Sequence, residues 1–258
     1  MHDFPFPNNS HDLTGQVALV TGATSGLGWH FSRVLAAAGA KVAIAGRRKQ
    51  RLTELAGLIN QDGGECASFV LDMTDADAIV SVVADIEQSL GTLTILVNNA
   101  GVPDAQLATK MDLELIDRVL DTNVRGPFIL SREVAKRLIS EKKPGRIINI
   151  ASMAAYQYDG NGAALYSVTK AAIARMTEAL SVEWAKFNIN VNAIAPGVFS
   201  SEMVDGMQAR IGDLAGYFPR KRIGYPPQLD STLLFLSSPA SECVTGTIVK
   251  VDDGQTNK

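Results

Sequence analysis

Short apolar, β-branched runs alternate with helical patterns along most of this chain, and this alternation limits its fold more than any other feature. The predicted strands are Val17–Thr21, Lys41–Ala45, Ala67–Leu71, Leu93–Val97, Arg146–Ala151, Ile189–Ala195 and Thr247–Val251. The predicted helices are Gly26–Ala38, Arg48–Asn60, Asp75–Leu90, Asp112–Asp121, Gly126–Glu141, Ala164–Phe187 and Pro227–Leu236. We therefore expect an α/β fold of three layers, with a seven-stranded, doubly wound parallel sheet between two layers of helices.

The chain has 258 residues and 46% hydrophobic composition, enough for one large domain or two small ones. Because no linker or internal repeat interrupts the alternation, we expect a single domain over residues 13–258. Residues 1–12 are rich in Asp, Pro and Asn where a signal peptide needs an apolar core, which predicts a flexible extension. Residues 197–224 break the alternation after a strand's carboxyl end, where ligands bind in open α/β sheets. We predict a substrate lid there; the alternative is a surface insertion without a chemical role.

Composition narrows the range of partners. The chain carries 24 Lys+Arg against 27 Asp+Glu, a net charge of -3, and no long basic run, which argues against a nucleic-acid partner. Cys66 and Cys243 have no CxxC spacing, and the three histidines, His2, His11 and His30, are isolated, so neither disulfides nor a metal site are expected. No segment is long enough to span a bilayer. We expect a cytoplasmic protein that does not bind membranes.

A glycine-rich segment, Thr21 to Gly28, joins the first predicted strand to the first helix. Gly22, Gly26 and Gly28 allow a tight turn and a close approach of the backbone to a pyrophosphate at the helix N-terminus. The GxxxGxG spacing is weak evidence by itself, but its place at a strand-to-helix junction makes it informative. We predict a dinucleotide site that also includes Thr24, Ser25 and Leu27; a glycine-rich turn without a ligand is the alternative.

The end of the second strand indicates which dinucleotide binds. NAD enzymes usually have an acidic residue there for the adenosine ribose, but this chain has Gly46-Arg47-Arg48. Because an arginine can pair with a 2′-phosphate, Arg47 favours NADP(H) over NAD(H), unless these arginines only begin a solvated helix. Asp72, at the end of the third strand, is a candidate partner of the adenine amino group, or else a helix cap.

Tyr166 and Lys170 stand four positions apart in a predicted helix, downstream of Ser152. Side chains at this spacing share one face of a helix. A free phenol has a pKa near ~10, and a neighbouring cation favours the phenolate, so we expect Lys170 to lower the pKa of Tyr166. With a glycine-rich cofactor loop, this pair predicts hydride chemistry; a surface pair without a role is the alternative.

The motifs TGxxxGxG, Asn98-Asn99-Ala100-Gly101, Asn123, Ser152, YxxxK and Pro196-Gly197 occur in an order and spacing that resemble the short-chain dehydrogenase/reductase family. The resemblance covers about Leu13 to Gly254. It implies a Rossmann-type fold and a homotetramer. It also implies the catalytic roles: Ser152 hydrogen-bonds the carbonyl oxygen, Tyr166 transfers the proton, Lys170 lowers the pKa of Tyr166 and holds the ribose, and Asn123 anchors a water. For the cofactor, it implies that Asn99 and Gly101 face the ribose. The backbone of Phe199 and the hydroxyl of Ser201 would meet the nicotinamide carboxamide.

Two positions depart from the family pattern. Asp253 stands where a second glycine is usual after the last strand, and we expect only a local change because aspartate tolerates the left-handed conformation. The helix after Gly224 begins with Tyr-Pro-Pro where an acidic start is usual, which bears on packing near the lid.

We expect a mostly apolar substrate pocket formed by Met153, Ala154, Tyr156, Tyr158, Phe199, Met203 and Met207. This set favours a hydrophobic or aromatic ketone over a sugar. The first alternative is a 3-oxoacyl-ACP/CoA reductase, for which Arg125, Arg132, Lys136 and Arg137 would supply part of a docking patch, although Val182 occupies the place of the family's docking arginine. The second alternative is a dinucleotide sensor without catalysis; such proteins generally lose the tyrosine or lysine that this chain retains.

Overall fold

Seven parallel strands form one central sheet, in the order β3-β2-β1-β4-β5-β6-β7. The computed structural model describes residues 9–158, 160 and 162–256. The strands are β1 (Val17–Thr21), β2 (Lys41–Gly46), β3 (Glu65–Val70), β4 (Ile95–Asn98), β5 (Gly145–Ile150), β6 (Ile189–Pro196) and β7 (Ile248–Val251). The predicted seven-stranded parallel sheet is confirmed. Strand β3 begins earlier than predicted because pairing with β2, which joins Lys41 to Glu65, extends it beyond its apolar residues.

Eight helices connect the strands in the described part of the chain. They are α1 (Gly26–Ala37), α2 (Lys49–Gln61), α3 (Ala76–Leu90), α4 (Leu113–Leu120), α5 (Gly126–Glu141), α6 (Ala164–Trp184), α7 (Glu202–Ile211) and α8 (Asp230–Ser237). Helix α7 lies inside the predicted lid and was not predicted. The last predicted helix divides into a 3-10 turn, Pro226–Leu229, and α8; 3-10 turns of this kind are frequent at the N-termini of α-helices.

The sheet is buried on both faces, as parallel sheets require. Helices α3, α5 and α6 pack on one face, around Leu19, Leu96 and Ile147. Helices α1, α2 and α8 pack on the other face, around Val20 and Val97. Each fully buried aliphatic side chain contributes about 1.5–3 kcal/mol. The result is a three-layer single domain of the Rossmann type.

The strand order reverses direction between β1 and β4, so a crevice opens at the carboxyl ends of these strands. The glycine-rich segment follows β1, and the Asn99–Gly101 segment follows β4. The fold therefore brings the two predicted cofactor motifs to the same edge of the sheet.

Of the predicted extension, residues 1–12, the first eight lie outside the described residues. Of residues 9–12, Ser10 is held to the domain through its carbonyl, which accepts a hydrogen bond from the Ser238 hydroxyl at 2.6 Å. Within the described residues, no helix has the length and apolar character needed to cross a membrane.

Candidate active site

A cavity of about 910 Å³ opens at the carboxyl edge of the sheet, a size typical of small-molecule sites. The predicted site residues that line it are Gly22, Thr24, Ser25, Gly26, Leu27, Arg47, Asp72, Asn99, Gly101, Ser152, Tyr166, Lys170, Phe199 and Ser201. The two remaining predicted residues, Gly28 and Asn123, are buried behind its wall. The structure therefore brings together residues that lie up to 179 positions apart in the chain, from Gly22 to Ser201.

The glycine-rich segment is hydrogen-bonded to the side chain of Asn99. The Asn99 amide donates to the carbonyls of Thr21 at 2.9 Å and Gly22 at 3.3 Å. Gly22 has a φ of +66°, and a Cβ there would lie 2.8 Å from the Cα of Ala100. A Cβ on Gly28 would collide with the Asn99 amide and the Gly22 carbonyl. Only glycine fits these two positions. Of the two, Gly22 lines the cavity, and its bare backbone forms part of the floor.

Helix α1 begins at this floor. Ser25 is the N-cap residue of α1, and within the described residues its side chain accepts no hydrogen bond from the first N–H groups of the helix. The first N–H groups of the helix therefore lack the usual side-chain acceptor, and they form the positive end of the helix dipole. A pyrophosphate is a ligand that such a helix end accepts. The residues present fit a dinucleotide phosphate.

Two arginines lie at the adenosine end of the cavity. The Arg47 guanidinium is exposed and stands 3.9 Å from the Asp72 carboxylate. Arg48 donates from Nε to the Thr24 hydroxyl at 3.0 Å and pairs with Glu202 at 3.1 Å. Asp72 also accepts from the backbone and hydroxyl of Thr74, so it holds the turn before α3 while it faces the cavity. Arg47 has the greater freedom to meet a phosphate.

Ser152, Tyr166 and Lys170 face the other end of the cavity. Ser152 follows β5, and its hydroxyl lies near enough to the Tyr166 phenol to lower the pKa of that phenol. The Lys170 ammonium lies 5.5 Å from the centre of the Tyr166 ring and donates to the Ile150 carbonyl at 2.7 Å. The i, i+4 spacing on α6 thus places phenol and ammonium side by side, as predicted.

Burial dominates the acid–base properties of this pair. It raises the pKa of the Tyr166 phenol above its usual value; the hydrogen bond with Ser152 lowers that pKa, and the Asp104 charge raises it. Burial also lowers the pKa of Lys170 to about 8. The expected fall in the pKa of Tyr166 is therefore wrong for this structure, because the loss of hydration on burial is the largest effect on the phenol. The phenol stays protonated at neutral pH, as a proton donor must.

Asn123 lies in a π-helical turn, Asp121–Arg125, between α4 and α5. Its side chain donates to the Val102 carbonyl at 2.9 Å and the Thr169 hydroxyl at 3.1 Å, and it accepts from the Val102 N–H at 2.8 Å. These bonds use both amide hydrogens. The side chain of Asn123 thus ties the loop after β4 to helix α6.

Asp104 is a site residue that the sequence did not reveal. Its carboxylate is buried and accepts the backbone N–H groups of Leu165 at 2.8 Å and Tyr166 at 3.2 Å. The other oxygen accepts the N–H of Ala105 at 2.8 Å. No local motif marks Asp104, because it caps a helix whose first residues lie about sixty positions further along the chain.

The predicted lid is attached at both ends to the loop after β7. Gln255 accepts from the N–H of Val198 at 2.6 Å. Asp253 accepts from Arg220 at 2.7 Å and from Arg222 at 2.7 and 3.1 Å. Asp253 has a φ of +54°, so it adopts the left-handed conformation as expected. The expectation of only a local effect is wrong, because its carboxylate reaches the far end of the lid.

The substrate end of the cavity is mostly apolar. The predicted pocket residues that line it are Met153, Ala154, Tyr158, Phe199, Met203 and Met207. Tyr156 does not belong to this set. The 3-10 turn Met153–Ala155 directs its ring to the Lys250 ammonium, which lies 4.2 Å from the ring centre.

Each residue of the candidate carrier-docking patch lies close to a carboxylate. Arg125 stands 3.6 Å from Asp121, Arg132 and Lys136 both pair with Glu133, and Arg137 stands 3.7 Å from Glu87. Val182 is 80% exposed. The patch therefore presents little net positive charge to an acidic partner.

Comparisons with known proteins agree with this architecture. The sequence model of a family described as short chain dehydrogenase matches residues 16–211. The gluconate 5-dehydrogenase of Gluconobacter oxydans is 34% identical over 247 residues, which cover 95% of this chain and 96% of that protein. The 3-oxoacyl-acyl-carrier-protein reductase of Thermotoga maritima is 33% identical over 243 residues, which cover 94% and 98%.

A solved structure from Agrobacterium tumefaciens contains bound NADP and has a proposed 2-deoxy-D-gluconate 3-dehydrogenase activity. It superimposes with a TM-score of 0.87 at 34% sequence identity, and the match covers 96% of this chain and 98% of that chain.

Proposed function

The chain belongs to the short-chain dehydrogenase family, and we propose that it is an NADP(H)-dependent oxidoreductase that interconverts a ketone and a secondary alcohol. The observation that carries the proposal is the meeting of Ser152, Tyr166 and the buried Lys170 in the wall of one cavity, with the Lys170 ammonium 5.5 Å from the centre of the Tyr166 ring. Such a donor and acid stand where negative charge develops on a carbonyl oxygen during reduction.

In the proposed reaction the nicotinamide cofactor, when bound, supplies or accepts the hydride. Ser152 holds the substrate oxygen, and Tyr166 gives its phenolic proton to that oxygen during reduction or removes it during oxidation. Lys170 holds positive charge next to the phenol at neutral pH, since its pKa is about 8, and it would hold the ribose. The side-chain amide of Asn123 is committed to Val102 and Thr169, so a water would have to bind at its backbone carbonyl.

The cofactor would lie along the predicted residues that line the cavity, from the glycine-rich floor to Ser201. We propose NADP(H) over NAD(H) because the exposed Arg47 guanidinium lies at the adenosine end of the cavity, and its contact with a carboxylate among the described residues, that with Asp72, is as long as 3.9 Å. The NADP in the Agrobacterium tumefaciens structure supports this choice. Asn99 and Gly101 would face the ribose, and Phe199 and Ser201 would meet the carboxamide.

The lining of the substrate end favours a ketone with an apolar part, as the methionines of α7 and Phe199 suggest. Of the two named relatives, one acts on gluconate and the other on 3-oxoacyl chains carried by a protein. The alternative of a carrier-dependent reductase is weakened by the paired charges of the docking patch. A dinucleotide sensor is disfavoured because Tyr166 and Lys170 are both in place.

Two further expectations belong to this proposal. The cysteines are free, which suits a reducing compartment such as the cytoplasm. A homotetramer is expected from the family.

The test is the initial rate of NADPH and NADH consumption with aryl ketones, 3-oxoacyl thioesters and keto sugar acids. Tyr166→Phe, which removes only the phenolic hydroxyl, is the matched control. We expect turnover with NADPH and a loss of about 100-fold or more in the variant, while its affinity for NADPH stays close to that of the parent. Tight cofactor binding without turnover of any carbonyl compound would instead support the sensor.

A further inference from the structure

One arginine of the cavity has no part in the proposed cofactor site. Arg210 lies in the last turn of α7 and lines the cavity together with Tyr166. Its Nη1 donates to the Ala105 carbonyl at 3.1 Å. The other cavity arginines, Arg47 and Arg48, stand near Asp72 and Glu202. Among the described residues, no carboxylate pairs with Arg210.

The face of α7 that holds Arg210 is amphiphilic along its length. Met203, Met207 and Arg210 follow the i, i+4, i+7 spacing, so they form one stripe on the helix, and all three line the cavity. The stripe presents two flexible thioethers followed by a guanidinium. A ligand that lies along it would need an apolar part and an anionic end.

The position of Arg210 relative to Tyr166 is fixed by a chain of hydrogen bonds. Arg210 donates to the Ala105 carbonyl, the Ala105 N–H donates to Asp104, and the same carboxylate accepts the N–H of Tyr166. Ala105 has a φ of +54°, a conformation that alanine rarely adopts. Such strained backbone is concentrated at functional sites. Here it aims the Ala105 carbonyl at the lid.

We propose that Arg210 binds the carboxylate of the substrate, and that the substrate is a keto acid or the corresponding hydroxy acid with an apolar segment. This inference rests on the proposed function. A guanidinium has five N–H donors, and only one is used in the bond to Ala105, so a pair remains for a carboxylate. The negative charge of Asp104 opposes such a ligand weakly, because its carboxylate accepts three backbone N–H groups.

The kinetic test uses pairs of substrates that differ only in charge: 4-oxopentanoate and 4-oxo-4-phenylbutanoate, each with its methyl ester. NADPH oxidation is measured for the parent, Arg210→Gln, Arg210→Lys and a control, Arg33→Gln. Arg33 pairs with Asp62 outside the cavity. We expect Arg210→Gln to lower kcat/KM about 10- to 100-fold for an acid and less than about 3-fold for its ester, with an intermediate loss in Arg210→Lys.

A binding measurement separates this inference from the proposed function. In the Tyr166→Phe background, where catalysis is slowed about 100-fold or more, the dissociation constants of the two acids and D-gluconate are compared with those of the esters and D-sorbitol, with NADP+ present. Tighter binding of either keto acid than of its ester, lost with Arg210→Gln, supports the inference even if no carbonyl compound is turned over, whereas a preference confined to D-gluconate would overturn its apolar part. Equal losses for acid and ester, or no preference for any carboxylate, would overturn it, whereas turnover of the esters would still support the proposed function.

Discussion

The Asp104 carboxylate caps the helix that carries Tyr166, because it accepts the N–H of Tyr166 at 3.2 Å and that of Leu165 at 2.8 Å. Its charge also raises the pKa of the phenol. One side chain from the loop after β4 therefore contributes to both the position and the acidity of the proposed proton donor.

Asp104→Asn should move the alkaline limb of the kcat/KM profile for ketone reduction to lower pH. Asparagine is a good cap whose single side-chain oxygen can still accept the N–H groups of Leu165 and Tyr166, but it removes the charge that raises the pKa of Tyr166. The measurement is the pH dependence of kcat/KM with NADPH. Asp104→Ala, which also removes the cap, should lower the free energy of unfolding by about 1–2 kcal/mol. An unmoved limb in Asp104→Asn would contradict the assigned electrostatic effect.

Arg47→Ala should raise the KM for NADPH about 10-fold or more and change the KM for NADH little. The guanidinium stands 3.9 Å from Asp72, close enough to be steadied but too far for a strong hydrogen bond. The comparison variant is Arg48→Ala, which removes the contacts to Thr24 and Glu202 and should affect both cofactors alike. A parent enzyme that prefers NADH would refute the assignment of Arg47.

Asp253→Gly should loosen the lid, although glycine suits the φ of +54° better than aspartate does. Trypsin should then cleave faster after Arg220 and Arg222, which lose their shared carboxylate, and the substrate KM should rise. Asp253→Asn, which keeps the shape of the side chain, should behave in the same way if charge is what matters. A tryptic half-life equal to that of the parent would show that the lid does not depend on this contact.

The contact of Asp253 with Arg220 and Arg222 should break at acidic pH. The hydrogen bond from Arg222, with the charges of Arg220 and Arg222, holds the pKa of Asp253 below its usual value of 3.8. A lowered carboxyl pKa adds stability above the unfolded-state pKa, and that stability is lost as pH falls through the folded pKa. Trypsin itself is inactive in acid, so cleavage of the lid below pH 4 should be followed with an acid protease. Asp253→Asn should show no such pH dependence.

Lys170→Met should reveal a cost of the buried ammonium. The pKa of Lys170 falls from 10.5 to about 8 on folding, so the unfolded chain binds more protons between these values. The stability of the parent relative to Lys170→Met should therefore rise from about pH 8 to about pH 10.5. Denaturant unfolding across this range measures the difference, and activity should be lost in the variant at every pH. A difference that stays constant with pH would show that Lys170 titrates normally in the folded protein.

The order of the elements and the floor of the cavity could be predicted because they rest on local rules. Alternating apolar runs specify the parallel sheet, and three glycines specify the turn at its carboxyl edge. The i, i+4 spacing alone places Tyr166 beside Lys170 on α6. These features depend on residues that are close in the chain.

The remaining features depend on contacts between distant segments. Asp104 meets Tyr166 across 62 positions, and Asp253 meets Arg222 across 31, so no local pattern announces either contact. The pKa of Tyr166 follows burial, which a sequence does not state. Tyr156 differed from the expectation because a short turn after Ser152 decides which way its ring points.

The π-helical turn at Asp121–Arg125 joins α4 and α5 without a break in the helical rod. A π turn bonds residue i to residue i+5, so it holds one residue more than an α turn of the same height. Deletion of a single residue here would let the rod continue as a regular α-helix: the segments on either side would keep their faces, while the side chains of the turn itself would change direction. The buried asparagine would then leave Val102 and Thr169. The place of Asn123 at the back of the site thus depends on one surplus residue. A single insertion during evolution is enough to supply such a residue.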